Sequence, residues 1–129
     1  MNKYGAKRCT ADGYWFDSLA ERERYYGLVL LRHAGEITDL EVHPRFDLFV
    51  PRKINTDVRV STGLRHSQPA LIAPVKVGYY EPDFRYRTAR GTVVIEDVKS
   101  PATAKNPTYR LKKKMVEALY NVKIVEVLR

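Results

Sequence analysis

The chain has 129 residues, 44% apolar and 29% charged, a balance that fits one globular domain and excludes a disordered chain. Lys and Arg outnumber Asp and Glu by 23 to 15, and the net charge of +8 indicates a polyanionic partner, either nucleic acid or an anionic membrane surface. The single cysteine excludes an internal disulfide, and the chain shows neither a signal peptide nor an apolar run long enough to span a membrane, so we expect one soluble domain, residues 1–129, in the reducing cytoplasm.

The first elements are predicted to be a hairpin and a helix. Asp12 and Gly13 form a turn dipeptide, and the aromatic residues 14–16 that follow favour a strand. Ser18 and Glu21 occupy the N-cap and N3 positions of a capping box. We therefore expect a helix from about Ser18 to residue 33 or 34, ended by a glycine.

The middle of the chain is less regular. Residues 45–50 alternate as a strand does, and Pro44 indicates a bend between them and residues 37–42. Proline and glycine punctuate residues 51–78, which we interpret as an elaborated loop or hairpin with a short strand at residues 57–60.

Two further strands are predicted, over Tyr79–Arg87 and Thr92–Lys99, with residues 89–91 as the turn between them. A helix should follow, with Asn106 as its N-cap and Asn121 at its end. Three apolar residues share one face of that helix: Leu111, Met115 and Leu119.

Residues 122–128 are predicted to form a last, mostly buried strand. The element order is therefore hairpin, helix, several strands, helix and strand. This order predicts a mixed α/β or α+β fold.

A candidate active site is expected where the two long strands meet. Fourteen residues separate Asp83 from Asp97, enough for a strand, a turn and a returning strand, so the two carboxylates can come close across the ladder. Alternation along the second strand puts Asp97 and Lys99 on one face and Glu96 on the other. A divalent cation relieves the repulsion of two close carboxylates, and a neighbouring lysine positions or deprotonates a water for attack on phosphorus. The pattern alone favours the ordinary interpretation, an exposed strand after a Pro-Asp turn.

Glu21 has two interpretations. As the N3 residue of the capping box it stabilises the helix start, which the residues alone favour. It also aligns with Tyr25, Leu28 and Arg32 on the inward side of the helix, where it would be a third carboxylate of an acidic cluster. Glu23 falls on the opposite, solvent side. The two roles of Glu21 can coexist.

The motif formed by Pro82-Asp83 and Asp97-Val98-Lys99 resembles the signature of the PD-(D/E)xK nuclease superfamily. The predicted first helix is similar to that of a phage-borne subgroup, which carries Phe-Asp-Ser, two variable residues, Glu and then Tyr. The similarity covers nearly the whole chain apart from about residues 51–75. The matching segments are residues 16–25, 37–40, 44–46, 80–84, 96–99 and 109–112. The chain differs from the common pattern in having Asp97 for Glu, Ser100 for Gly and His43 for Gln.

The resemblance implies a restriction-endonuclease-like core, in which helices flank a central mixed sheet. It implies a magnesium-dependent endodeoxyribonuclease, a hydrolase whose metal ligands are Asp83, Asp97 and Glu21, with Mn²⁺ able to substitute for Mg²⁺. Lys99 would orient the attacking water and stabilise developing charge. Relatives of this kind resemble Holliday-junction resolvases, so branched DNA is the expected substrate and a homodimer the expected assembly.

Basic residues around the motif are candidates for contacts with DNA phosphates. The candidates are Arg85, Arg87, Arg110, Lys112, Lys113 and Lys114. The histidines have no metal-site spacing with Cys9 and are interpreted as surface or hydrogen-bonded residues. For His43 the less favoured alternative is that it faces the active centre, because of its place in the matching segment. The alternative function is a non-catalytic DNA-binding or phage assembly protein that keeps the nuclease fold. The intact acidic residues count against it, since bare carboxylates beside DNA weaken binding.

Overall fold

The computed structural model describes residues 7–53 and 71–129. It is a mixed α+β structure with a central mixed sheet flanked by helices, which confirms the predicted class. The elements in chain order are β1 (Cys9–Ala11), β2 (Tyr14–Phe16), α1 (Leu19–His33), β3 (Ile37–Val42), β4 (Phe46–Lys53), β5 (Leu71–Tyr80), β6 (Phe84–Thr88), β7 (Val93–Lys99), α2 (Pro101–Ala104), α3 (Pro107–Tyr120) and β8 (Ile124–Leu128).

The central sheet has the strand order β3-β6-β7-β8. β6 runs antiparallel to both β3 and β7, whereas β8 pairs parallel with β7 after the crossover through α3. β1 pairs with β2 and β4 pairs with β5 in two separate two-stranded sheets. The parallel pairing places β7, which carries Asp97 and Lys99, inside the sheet.

Each face of the central sheet is covered by its own apolar cluster. On the first face, which we call the α1 face, α1 and β2 pack through Phe16, Tyr25 and Leu28 against Phe84. On the second, which we call the α3 face, residues from α3 and the β4–β5 hairpin form a cluster with Ile95 of β7. The alternation of β7 therefore sends successive side chains into two different cores.

The predicted helix limits follow from local chemistry and are confirmed. Ser18 caps α1, and Gly35 after its end has a positive φ of 77° that glycine adopts freely. Asn106 caps α3 by accepting the N–H groups of residues 108 and 109, and Asn121 ends it in the left-handed conformation. The β1–β2 hairpin turns at Asp12 and Gly13, as predicted.

The prediction of one strand over residues 79–87 is wrong. β5 ends at Tyr80 and pairs with β4, whereas β6 begins at Phe84 and pairs with β3 and β7. Pro82, which is buried, lies in the break and lacks the N–H that a continuous ladder needs. The segment therefore supplies two sheets, and the break holds Asp83.

The prediction of a mostly buried last strand is also wrong. β8 lies at the edge of the sheet, and of its five residues Ile124 is buried while Val125 and Leu128 are exposed. Likewise, Arg32 on α1 is exposed rather than inward-facing. An edge strand and a helix end have fewer neighbours to cover them.

The sequence predicts a loop or hairpin over residues 51–78. The structure contains the stem of a hairpin there, because β4 extends to residue 53 and pairs with β5 from residue 71. The short strand predicted at residues 57–60 lies outside the described residues. No helix in the described part of the chain is long and apolar enough to cross a membrane.

The apolar stripe predicted on α3 is not its buried side. Leu111 is 60% exposed and Leu119 46% exposed, whereas Val116 is fully buried in the cluster of the α3 face.

We expect Val116→Ala to lower the free energy of unfolding by about 2 kcal/mol, because it leaves a cavity. Leu111→Ala should change it by less than about 0.5 kcal/mol. Urea unfolding of both variants measures the difference, and equal losses would contradict this packing of α3.

Candidate active site

Asp83 lies in the break between β5 and β6. Its N–H donates to the Glu96 carbonyl at 3.0 Å, which continues the main-chain pairing with β7 by one residue. Its carboxylate Oδ2 then accepts the N–H of Val98 at 2.7 Å. The side chain is thus held by β7 itself and is only 7% exposed.

Asp97 points from β7 toward the α3 face. Its Oδ1 lies 3.1 Å from Nζ of Lys99, and its Oδ2 accepts a hydrogen bond from the hydroxyl of Tyr80 at the end of β5. The Lys99 ammonium also lies 4.6 Å from the ring centre of Tyr109 on α3, within cation–π distance. Two aromatic residues from separate elements therefore hold the Asp97–Lys99 pair.

Glu96 points to the opposite face of β7, as the strand alternation predicts. Its carboxylate accepts two hydrogen bonds of 2.7 Å from the guanidinium of Arg24 on α1, and a third from the hydroxyl of Tyr86. This bidentate pair neutralises a carboxylate that is only 2% exposed. Glu96 is therefore a partner of α1, and Asp97 is the neighbour of Lys99.

Glu21 combines both of its predicted positions. Its N–H donates to Ser18 Oγ at 3.2 Å, and its Oε2 accepts the N–H of Asp17 at 3.1 Å, so it caps α1. The same half-buried carboxylate lies in the acidic cluster with Asp83. Glu23 is exposed, as predicted.

His43 joins this cluster, so the structure favours the alternative that the sequence favoured less. One ligand atom from each of Glu21, His43 and Asp83 lies within 4.8 Å of the others. The N–H of His43 donates to the Asp83 carbonyl at 2.8 Å, and its ring lies 5.7 Å from that of Phe16. In the sequence, His43 stands beside Pro44 in a segment that matches the nuclease pattern. Tyr80, a site residue that was not predicted, also lies in a matching segment.

Two carboxylates of the site, those of Asp83 and Glu21, resist ionisation. Burial, followed by the charges of Asp97 and Glu21, raises the pKa of Asp83 well above its ordinary value, although the Val98 N–H opposes this. Burial is also the main cause that raises the pKa of Glu21 to about 7, while the Asp17 N–H lowers it. Close carboxylates with raised pKa values, together with one imidazole nitrogen, are a donor set that fits a divalent cation.

The six basic residues predicted to contact DNA lie in different surroundings. Arg85 and Arg87 of β6 form ion pairs with Glu41 and Asp39 of β3, and Lys113 pairs with Glu126 of β8 at 2.8 Å. Arg110 and Lys114 are exposed on α3. Lys112 lines the same groove as Lys99. Among the six, Lys112 is therefore the one that the structure brings next to the predicted catalytic lysine.

The raised pKa of Glu21 predicts how the stability of the metal-free protein depends on pH. Below about pH 4.5 Glu21 is protonated in both folded and unfolded states, whereas above pH 7 the folded state bears the full cost of its ionisation. Glu21→Gln removes that cost and keeps an oxygen for the Asp17 N–H.

In excess chelator we therefore expect Glu21→Gln to be more stable than the natural protein by about 1–3 kcal/mol at pH 8, with the gain vanishing near pH 4. Denaturant unfolding across this range measures it. Asp97 and Asp83 repel the ionised Glu21 and Lys99 attracts it, so all three belong to the expected profile. A variant less stable than the natural protein at pH 8 would mean that ionisation of the buried Glu21 carboxylate does not destabilise the folded state.

Comparison with known proteins relates the whole chain to a protein family. Among curated proteins and among solved structures, no match to the chain is found. A family model that covers residues 1–129 does match, and its description is a protein of unknown function. The chain therefore belongs to the DUF1064 family.

Proposed function

We propose that the chain is a metal-dependent endonuclease that hydrolyses phosphodiester bonds of DNA. The observation that carries the proposal is the convergence of three carboxylates, from α1, the β5–β6 break and β7, beside one lysine. Burying like charges costs free energy that a fold without a use for them would avoid. The excess of basic residues supports a nucleic-acid substrate.

Asp83 and Glu21, whose ligand atoms lie within 4.8 Å of each other and of His43, would hold the cation together with Asp97, whose charge acts on both of them. His43 offers a nitrogen ligand that Mn²⁺ accepts more readily than Mg²⁺ does. A bound divalent cation supplies Lewis-acid activation of the phosphoryl group and lowers the pKa of a bound water. The Val98 N–H fixes the orientation of Asp83. These fixed positions spare the site from reorganising during the reaction.

Lys99 is the residue of this chain that acts on the water and on the phosphate. Its ammonium, 3.1 Å from Asp97, is half-buried and partly open to solvent, so it can hydrogen-bond an attacking water. It also carries the positive charge that stabilises the extra negative charge on phosphorus in the transition state. Tyr80 keeps Asp97 turned toward it.

Branched DNA as the substrate and a homodimer as the assembly are finer parts of this proposal. A four-way junction presents two related strands, which a twofold dimer would cut at two equivalent sites. Exposed apolar side chains on α3, Leu111 and Leu119, offer surface for such an interface. A panel of labelled single-stranded, duplex, flap and four-way-junction DNAs identifies the preferred substrate.

Cleavage should require a divalent cation. We expect labelled DNA to be cut in Mg²⁺ or Mn²⁺ and to be bound with little turnover in Ca²⁺, because the acidic cluster needs a cation before a phosphate can approach. The alternative, a non-catalytic DNA-binding or phage assembly protein, predicts no cation-dependent cutting of any DNA in the panel. Cutting that persists in excess chelator would reject the metal-dependent mechanism.

Two adjacent acids should respond differently to isosteric substitution. Asp97→Asn should lower the cleavage rate by at least about 100-fold while it keeps or tightens DNA binding, because a negative charge near the phosphate is lost. Glu96→Gln, the matched control, should retain most activity at low temperature and instead lower the melting temperature, because Arg24 loses its ionic partner. The reverse ranking of the two cleavage rates would mean that the metal site is wrongly assigned.

A further inference from the structure

A groove opens beside the acidic site. It has a volume of about 440 Å³. Tyr79 at the end of β5 lines one side of it, and Asn106 and Lys112 of the α3 segment line the other. Lys99 also lines it, and the same lysine lies 3.1 Å from Asp97. The groove is therefore continuous with the acidic site through one side chain.

Aromatic rings hold the cations of this groove. Nζ of Lys112 lies 5.8 Å from the ring centre of Tyr79. The guanidinium of Arg45, which pairs with Asp47 and does not line the groove, lies 4.0 Å from the same ring. Lys99 is held in the same way over Tyr109. A cation fixed over a ring loses little conformational freedom when it meets a phosphate.

Lys112 is also available for an anion. Within the described residues no carboxylate forms an ion pair with it, in contrast to Lys113, which pairs with Glu126. The Arg85 and Arg87 side chains line a separate cavity together with the carboxylates of their partners on β3. An approaching phosphate would meet those acids, whereas near Lys112 it meets a net positive surface.

Neutral donors complete the wall of the groove on α3. The Oδ1 of Asn106 is used to cap the helix, which leaves its amide N–H₂ as the group that can face a ligand. Thr108 lines the groove as well. Asn and Thr side chains are common donors to phosphate oxygens. One carboxylate, Glu81, lies on the β5 side, so an anion is directed toward α3.

We propose that this groove binds the sugar–phosphate backbone of a single DNA strand next to the phosphate that is cut, with Lys112 on a neighbouring phosphate. The proposal rests on the proposed nuclease function and adds the path of the strand. A cavity of this volume lies in the size range of small-ligand pockets, which suits one nucleotide of a strand rather than a duplex.

Binding without cutting tests the path directly. Fluorescence anisotropy of labelled single-stranded and four-way-junction DNA is measured in Ca²⁺ on the Asp97→Asn background, with Lys112→Gln as the test variant. Lys123→Gln is the matched control, since Lys123 is exposed, lies outside the groove and removes the same charge. We expect Lys112→Gln to weaken binding about 5-fold and to lower the salt slope by about one unit, whereas Lys123→Gln changes binding by less than about 2-fold.

A phosphate scan then locates the contact. Single neutral methylphosphonates are placed along the strand, and each is combined with Lys112→Gln. We expect one position next to the cleavage site at which the two losses are not additive, since each change removes the same ion pair. Lys112→Arg should recover most of the binding, which separates loss of charge from loss of folding.

The outcomes separate this proposal from the nuclease function. If Lys112→Gln and Lys123→Gln weaken binding equally and no phosphate couples to Lys112, the strand path is wrong, whether or not the protein cuts DNA. If coupling is found but no cation supports cutting, the groove stands as a DNA-binding site and the nuclease function fails. If the chain binds neither DNA, both proposals are overturned.

Discussion

The hydrogen bond from the Val98 N–H to the Asp83 carboxylate is the contact on which the arrangement of the site depends. Pro82 interrupts the main-chain pairing, and the Asp83 side chain replaces it by accepting the next N–H of β7. The same bond holds a carboxylate close to Glu21 and Asp97, although all three repel one another. Holding these carboxylates together therefore lowers the stability of the folded state, and a bound cation would offset that loss.

The two adjacent acids of β7 show how one strand places two buried carboxylates in two different environments. Glu96 is neutralised by a guanidinium on the α1 face and ties that helix to the sheet. Asp97 is balanced on the α3 face by an ammonium that stays partly exposed. Because strand alternation separates them, neither charge disturbs the other's partners. A one-residue shift of register would send each acid to the opposite face, away from its partners, so these contacts constrain the register of β7.

Features set by neighbouring residues were predictable from the sequence, and features set by distant residues were not. The Ser18 and Asn106 caps and the alternation of β7 each depend on a few consecutive residues, and all three predictions are confirmed. The break in the predicted strand over residues 79–87 was missed because it depends on which strands pair, although Pro82 was a visible signal. Tyr80 was missed as a member of the site, and His43 was given only as the less favoured alternative, because both approach the acids only after β3–β6 and β4–β5 have paired.

The β4–β5 hairpin has a consequence for how such a protein diversifies. Its inner end is fixed, since Phe46 and Tyr80 are paired and buried in the core, and Tyr80 orients Asp97. Its register shifts lie further out, between Leu48 and Phe49 and between Val50 and Arg52. Bulges absorb changes of strand length locally. Insertions, deletions or a transplanted segment beyond these bulges can thus accumulate without moving the acidic residues, so the hairpin is a place where evolution, or an engineer, can alter one surface of the protein while the acidic cluster keeps its geometry.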